Sequence, residues 1–270
     1  MAEWTQERLG AFGVPLPAGN RLQRARSLIE EVNERRVVLS SEDRELLERV
    51  NEAQWTVIEQ YVIARALGRP PRRLEPAHLR KLEEMLSGAD VPGADRNHFA
   101  RNTQFELYVG SHLTMGDVRV VVAEPDLVID YLGAPCGLAA KRVQSVRQAV
   151  RRAREAADQI AASGVRGIVA VNVDVLLGLS ETEPDPTRTL DERLEVVREI
   201  EAAMAARDEV IATLTFAKTA IWDFSGSRPV VELSHSNRYT VHPRDGHTET
   251  QGREFFDRLF TRVDQRMEDL

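Results

Sequence analysis

The chain is poor in cysteine and has no long apolar run. Cys136 is the only cysteine among 270 residues, so no internal disulfide can form. A thiolate zinc site needs several such ligands and is excluded too. No stretch has the roughly twenty consecutive apolar residues of a membrane-spanning helix. The opening segment MAEWTQERLGAFGV lacks the basic-then-apolar order of a secretory signal, so a soluble, cytoplasmic protein is expected. The six histidines contain no pair at the HExxH spacing, and the glycines form neither a P-loop nor a dinucleotide fingerprint. His235 and His242 fall in late strand-like segments and are expected at the surface. A net charge of −7 excludes a uniformly basic coat, though not a local basic patch.

What is present supports a packed core. Hydrophobic residues make up 42% and charged residues 29%, so disorder is not expected, and 270 residues fit one large domain or two modest ones. The first third reads as helical. Leu22, Ala25, Leu28, Ile29 and Val32 recur at helical spacing. Ser40 and Ser41 offer an N-cap to a longer run that buries Leu46, Leu47, Val50, Ala53, Trp55, Ile58, Val62 and Ala66. GRPPRR at 68–73 stops that run, a short helix over 76–86 follows, and 87–95 is a boundary rich in glycine and proline. This divides the chain into a helical N-terminal region, 1–92, and a second domain, 93–270.

The rhythm then changes. A helix is expected over 96–115, followed by strands over 117–124, 125–133 and 137–143, a helix over 144–163 and a strand over 167–178. The last of these is continuously apolar, as strands buried on both faces are. A polar loop at 180–189, a helix over 190–206, strands over 209–224 and 228–242 and a helix over 252–267 complete the chain. Meandering strands followed by a helix-linked strand predict a mixed sheet with helices on both sides, an α/β (α+β) fold.

On this order lie Glu106 in the helix, Pro125-Asp126 at the start of the second strand and Lys141 at the end of the third. The arrangement resembles the PD-(D/E)xK nuclease superfamily over about residues 96–178. That resemblance implies a restriction-endonuclease-like αβββαβ core and Mg²⁺- or Mn²⁺-dependent hydrolysis of DNA phosphodiester bonds. By position, Glu106 and Asp126 match the metal-binding acids and Lys141 the lysine that steadies the attacking water. Ala139 stands where the family carries its third-strand acid. The chemistry needs those types: a hard cation polarises the phosphate and takes oxygen ligands. Glu124, two residues before Asp126, is a substitute ligand if the strand runs on through Pro125.

The next segment, KRVQSVRQAVRRAR, carries Lys141, Arg142, Arg147, Arg151, Arg152 and Arg154 with no acid. Arg147, Arg151 and Arg154 share one helical face, an arrangement suited to a phosphate backbone. Arg142, Arg147, Arg151 and Arg154 are therefore the candidate DNA contacts, and the helical N-terminal region is a candidate dimerisation module.

Each residue also has an ordinary reading. Pro-Asp is common at turns, Glu106 suits a solvated helix face, Lys141 suits a strand end, and charge runs are usually solvated. Cys136 reads as a small buried side chain. Two functions of different class follow: a metal-dependent nuclease, and a catalytically silent relative that binds nucleic acid or a protein partner. The alanine at 139 favours the second; Asp126 with Lys141 favours the first. A small-molecule enzyme is disfavoured because no cofactor or nucleophile motif is present.

Overall fold

The computed structural model describes residues 1–68, 74–89, 99–143, 145–174, 190–226, 229–244 and 248–268. The expected stop at 68–73, the boundary at 87–95, the loop at 180–189 and the end of the strand over 167–178 fall wholly or largely outside them. The protein is mixed α/β, with eight α-helices and a six-stranded sheet among the described residues. No helix among them is long and apolar enough to cross a membrane. The chain forms two compact units, one built on 1–108 with 219–234, the other on the described residues of 109–218 and 235–270.

The first unit is mainly helical: α1 (Ala2–Ala11), α2 (Arg21–Asn33), α3 (Arg44–Ala66), α4 (Pro76–Met85) and the start of α5 (Phe99–Met115). The cap of α3 is Asp43 and not the expected serines; its carboxylate accepts the Leu46 N–H at 3.0 Å. Between the helices lies a buried polar network. Arg21 donates to Gln104 Oε1 and to Thr56 Oγ1, each at 2.9 Å, while Arg101 pairs with Glu52 and Gln104 donates to Glu59. Cations this deeply buried persist only when paired, because the desolvation cost has to be offset.

The second unit contains most of the sheet. Its strands are β1 (Val120–Val122), β2 (Leu127–Tyr131), β3 (Ala134–Arg142), β4 (Gly167–Asn172), β5 (Val210–Asp223) and β6 (Val230–Val241), hydrogen-bonded in that order. β1, β2 and β3 are antiparallel neighbours; β3, β4 and β5 are parallel. Parallel neighbours need a crossover, and helices supply both: α6 (Ala149–Ala162) and α7 (Leu190–Ala205). A single 3₁₀ turn, Val146–Gln148, precedes α6, so the α-helix starts later than the sequence suggests.

Side-chain alternation sorts the helices onto two faces. Ala139, Val143, Val169, Val171 and Val173 point to one face and pack with Ala149, Ala153, Ala156, Ala157 and Ile160 of α6 and with Ile200 and Met204 of α7. Small side chains on α6 let it lie close to the sheet. The opposite face carries Leu127, Tyr131, Leu138 and Phe216. Gly110 of α5 lies against Leu127, His112 of α5 against Phe216, and Phe255 and Phe256 of α8 (Glu249–Glu268) against Tyr131. All six residues of β4 are buried, as its unbroken apolar run predicts.

Candidate functional site

Pairing between β2 and β3 stops at Leu127↔Leu138, yet β3 runs on to Arg142. Gly137 N donates toward β4, to Arg166 O at 2.8 Å. Strand N–H groups alternate sides, so the Ala140 N–H points toward β2, past its end. Ala140 is buried, and a buried donor needs an acceptor. Asp126 provides one: its Oδ2 accepts the Ala140 N–H at 2.8 Å. The Lys141 ammonium stands 3.8 Å from the same oxygen, with the two side chains 19% and 11% exposed. That separation is an ion pair and exceeds a hydrogen bond.

Asp126 belongs to the short link between β1 and β2, before the first strand residue. β1 ends at Val122 and β2 starts at Leu127, so the continuous strand on which Glu124 depended as a substitute ligand is not present. Glu124 is exposed on that link. Pro125 packs over Gly137, where a β-carbon would meet its Cδ at 3.0 Å. This contact anchors the link over β3 next to Asp126.

Ala139 is wholly buried in the apolar cluster beneath α6. The position of the expected third acid is therefore closed by alanine and valine side chains. Glu106 belongs to the first unit and pairs there with Lys81 of α4. Asp126 and Lys141 belong to the second. A Mg²⁺ ion is held through one or two carboxylates, with waters filling its other positions. Among the described residues no group of three or more His, Cys, Asp or Glu is placed to hold an ion. Asp126 is engaged by backbone and lysine, Glu124 stands on an exposed link and residue 139 is a buried alanine, so of the positions expected to hold a cation only Asp126 lies beside Lys141.

The basic segment keeps its solvent face. Arg147, Arg151 and Arg154 are exposed, but Arg147 lies in the 3₁₀ turn before α6, which interrupts the single helical face expected for the three. Arg151 and Arg152 both donate to Glu155, each at 2.7 Å, so one acid just beyond the segment answers two of its cations. Arg147 and Arg154 have no carboxylate partner among the described residues. Arg142 is half-buried at the end of β3, opposite Asn172.

One polar cluster has no counterpart in the sequence reading. Asp174, just past β4, accepts the Lys218 backbone N–H at 2.6 Å and Asn172 Nδ2 at 2.8 Å, and the Lys218 ammonium lies 3.6 Å from it. It ties the end of β4 to β5. Lys218 lies 44 positions beyond Asp174, so no local motif announces the tie. The histidines also depart from expectation. His242 is buried, with Nε2 2.9 Å from Thr213 Oγ1, and burial, then Arg244, pulls its pKa down against Glu201. His235 meets His112 edge-to-face, ring centroids 5.6 Å apart. Burial pushes the Cys136 thiol up to about 12, so it is a packing residue and not a nucleophile.

Comparison with protein-family models, curated proteins and solved structures returns no match for this chain.

Proposed function

We propose that the second unit binds the phosphate backbone of DNA, on a framework like the restriction-endonuclease core. Lys141, Arg142 and the solvent face of α6 make the contacts. The observation that carries this reading is the pair Arg147, in the 3₁₀ turn before α6, and Arg154, on the exposed side of α6, both without carboxylate partners among the described residues. A 3₁₀ turn and the start of α6 separate them, roughly 10–12 Å of rise, so the two cations can meet separate phosphates. In a chain with net charge −7, such cations are a local feature. The order α5, β1–β3, α6, β4, with β3 and β4 parallel, supports the framework.

The test is fluorescence anisotropy with a labelled duplex across a salt series. Reversing charge at Arg147 and Arg154 together should weaken binding and lower the log–log salt slope by about two units, roughly one per phosphate contact. Unchanged affinity and slope would leave α6 a solvated helix.

A second reading, metal-dependent cleavage of that DNA, is favoured by the 3.8 Å approach of Lys141 to Asp126. In it Lys141 steadies charge developing on a phosphate oxygen. Its test is incubation of the full chain with plasmid, linear and single-stranded DNA in Mg²⁺, Mn²⁺ or EDTA.

A further inference from the structure

We infer that Asp126 is a backbone clamp that fixes Lys141 as a phosphate-binding group working without a divalent cation. This rests on the proposal that the end of β3 meets phosphate. Three observations converge on it.

The first is the ladder itself. β3 outruns β2 by four residues, 139–142, and its β2-facing edge loses its partner strand there. Asp126 Oδ2 takes the place of a strand carbonyl for Ala140 N–H. That oxygen also faces the Lys141 ammonium at 3.8 Å, so a cation drawn to it would meet a positive charge already in place.

The second is the geometry of Lys141. At 3.8 Å its ammonium feels the charge of Asp126, and it makes no hydrogen bond among the described residues. The carboxylate holds the lysine in place while leaving its three donors for an incoming acceptor. A lysine in that state is a point charge suited to phosphate oxygens.

The third is the closed neighbourhood. The face of β3 that carries residues 139 and 141 is sealed at 139 by α6. No second carboxylate stands on it among the described residues of the strand. A carboxylate that already accepts a backbone N–H and faces an ammonium is a weak ligand for a hard cation, which would have to keep most of its water there.

The experiment has three arms on the full chain. In calorimetric titration with Mn²⁺, the parent should show no saturable heat that Asp126→Asn removes. Heat that persists equally in Asp126→Asn reports a cation bound elsewhere and also agrees with the clamp. In thermal unfolding, Asp126→Ala should lower Tm by about 4 °C or more, because the Ala140 N–H loses its acceptor. Asp126→Asn should lower it by less than half as much, since its amide oxygen can still accept. In anisotropy, duplex affinity should be the same in EDTA as in Mg²⁺, and Lys141→Met should weaken it several-fold in both. Saturable Mn²⁺ binding lost in Asp126→Asn overturns the inference, as does equal Tm for Asp126→Ala, Asp126→Asn and the parent. DNA binding that requires Mg²⁺ overturns the cation-free claim and leaves the DNA proposal standing. Absence of DNA binding in every condition removes the DNA proposal and the phosphate role of Lys141, while the clamp is still decided by Tm and metal titration.

Discussion

Gly167 faces Gly137 across the β3–β4 ladder so closely that a β-carbon on it would stand 2.4 Å from the Gly137 carbonyl oxygen. The same β-carbon would meet two side-chain carbons of Ile160 at 2.8 and 2.9 Å. Ile160 is fully buried on α6, so it has little room to yield. The glycine sets how near α6 can lie to the start of the parallel ladder. Residues 139–142 extend from the same strand, so this packing also supports the end that carries Lys141.

Gly167→Ala is therefore expected to destabilise the second unit by about 3 kcal/mol, the upper part of the range for overpacking, because the obstructing atom is backbone. Gly133→Ala is the comparison. There φ is +85° but nothing lies within 4 Å, and the cost should be only the backbone term of about 1 kcal/mol. Urea unfolding of both variants checks the order; equal costs would mean that α6 shifts freely.

Cys136 should be silent in the folded protein. It is 3% exposed and its pKa is raised to about 12 by burial, so at pH 8 only about one thiol in ten thousand is ionised. A thiol reagent at pH 8 should label nothing on the native timescale and one equivalent in urea. Fast native labelling would show that the sheet face between Ile129 and Cys136 opens readily.

Much of the element order was legible because period and apolar run length carry it. The six buried residues of β4 and the alanine stripe of α6 are two such cases. α1 has no such signal: its apolar positions form no continuous stripe, and only Thr5 and Leu9 are buried. The Asp174–Lys218 tie and the Arg21–Gln104 bond join residues 44 and 83 positions apart, so neither has a local signature. The sequence shows that residue 139 is not acidic. It does not show that α6 would cover that position, since burial there depends on the crossover. The acid-free window that made the basic segment prominent ended at Arg154, one residue before Glu155.

The closed state of residue 139 gives a direct test of its surroundings. Ala139→Glu would place a carboxylate in the apolar cluster formed by Val169, Val171 and the alanines of α6. A buried uncompensated charge costs about 3–5 kcal/mol, so the variant should unfold well below the parent in urea, and Mg²⁺ should not restore it. If Ala139→Glu were as stable as the parent and stabilised further by Mg²⁺, residue 139 would face an open cation site.

His242 sets a pH dependence of stability whose sign is fixed by its depressed pKa. The ring is buried, its Nε2 lies 2.9 Å from Thr213 Oγ1, and its backbone N–H donates to Ile211 O at 2.8 Å. Burial is the larger cause of the downward shift and Arg244 the second, while Glu201 opposes them. Glu201 is itself engaged by Arg238 at 3.0 Å and by Thr240 at 2.8 Å, which limits that opposition. In the unfolded chain the histidine titrates near its ordinary value of about 6.5. Below that pH the unfolded state binds a proton that the folded state resists, so folding is opposed by proton uptake. The contribution is whole above about 6.5 and is lost as pH falls through the lower folded value. Denaturant midpoints measured from pH 7.5 down to pH 5 should therefore fall for the parent. His242→Gln, which keeps a side chain able to bond Thr213 and cannot titrate, should be less stable at pH 7.5 but flatter over the same range. A parent curve no steeper than that of the variant would mean that His242 is protonated in the folded protein with water or Glu201 as its partner.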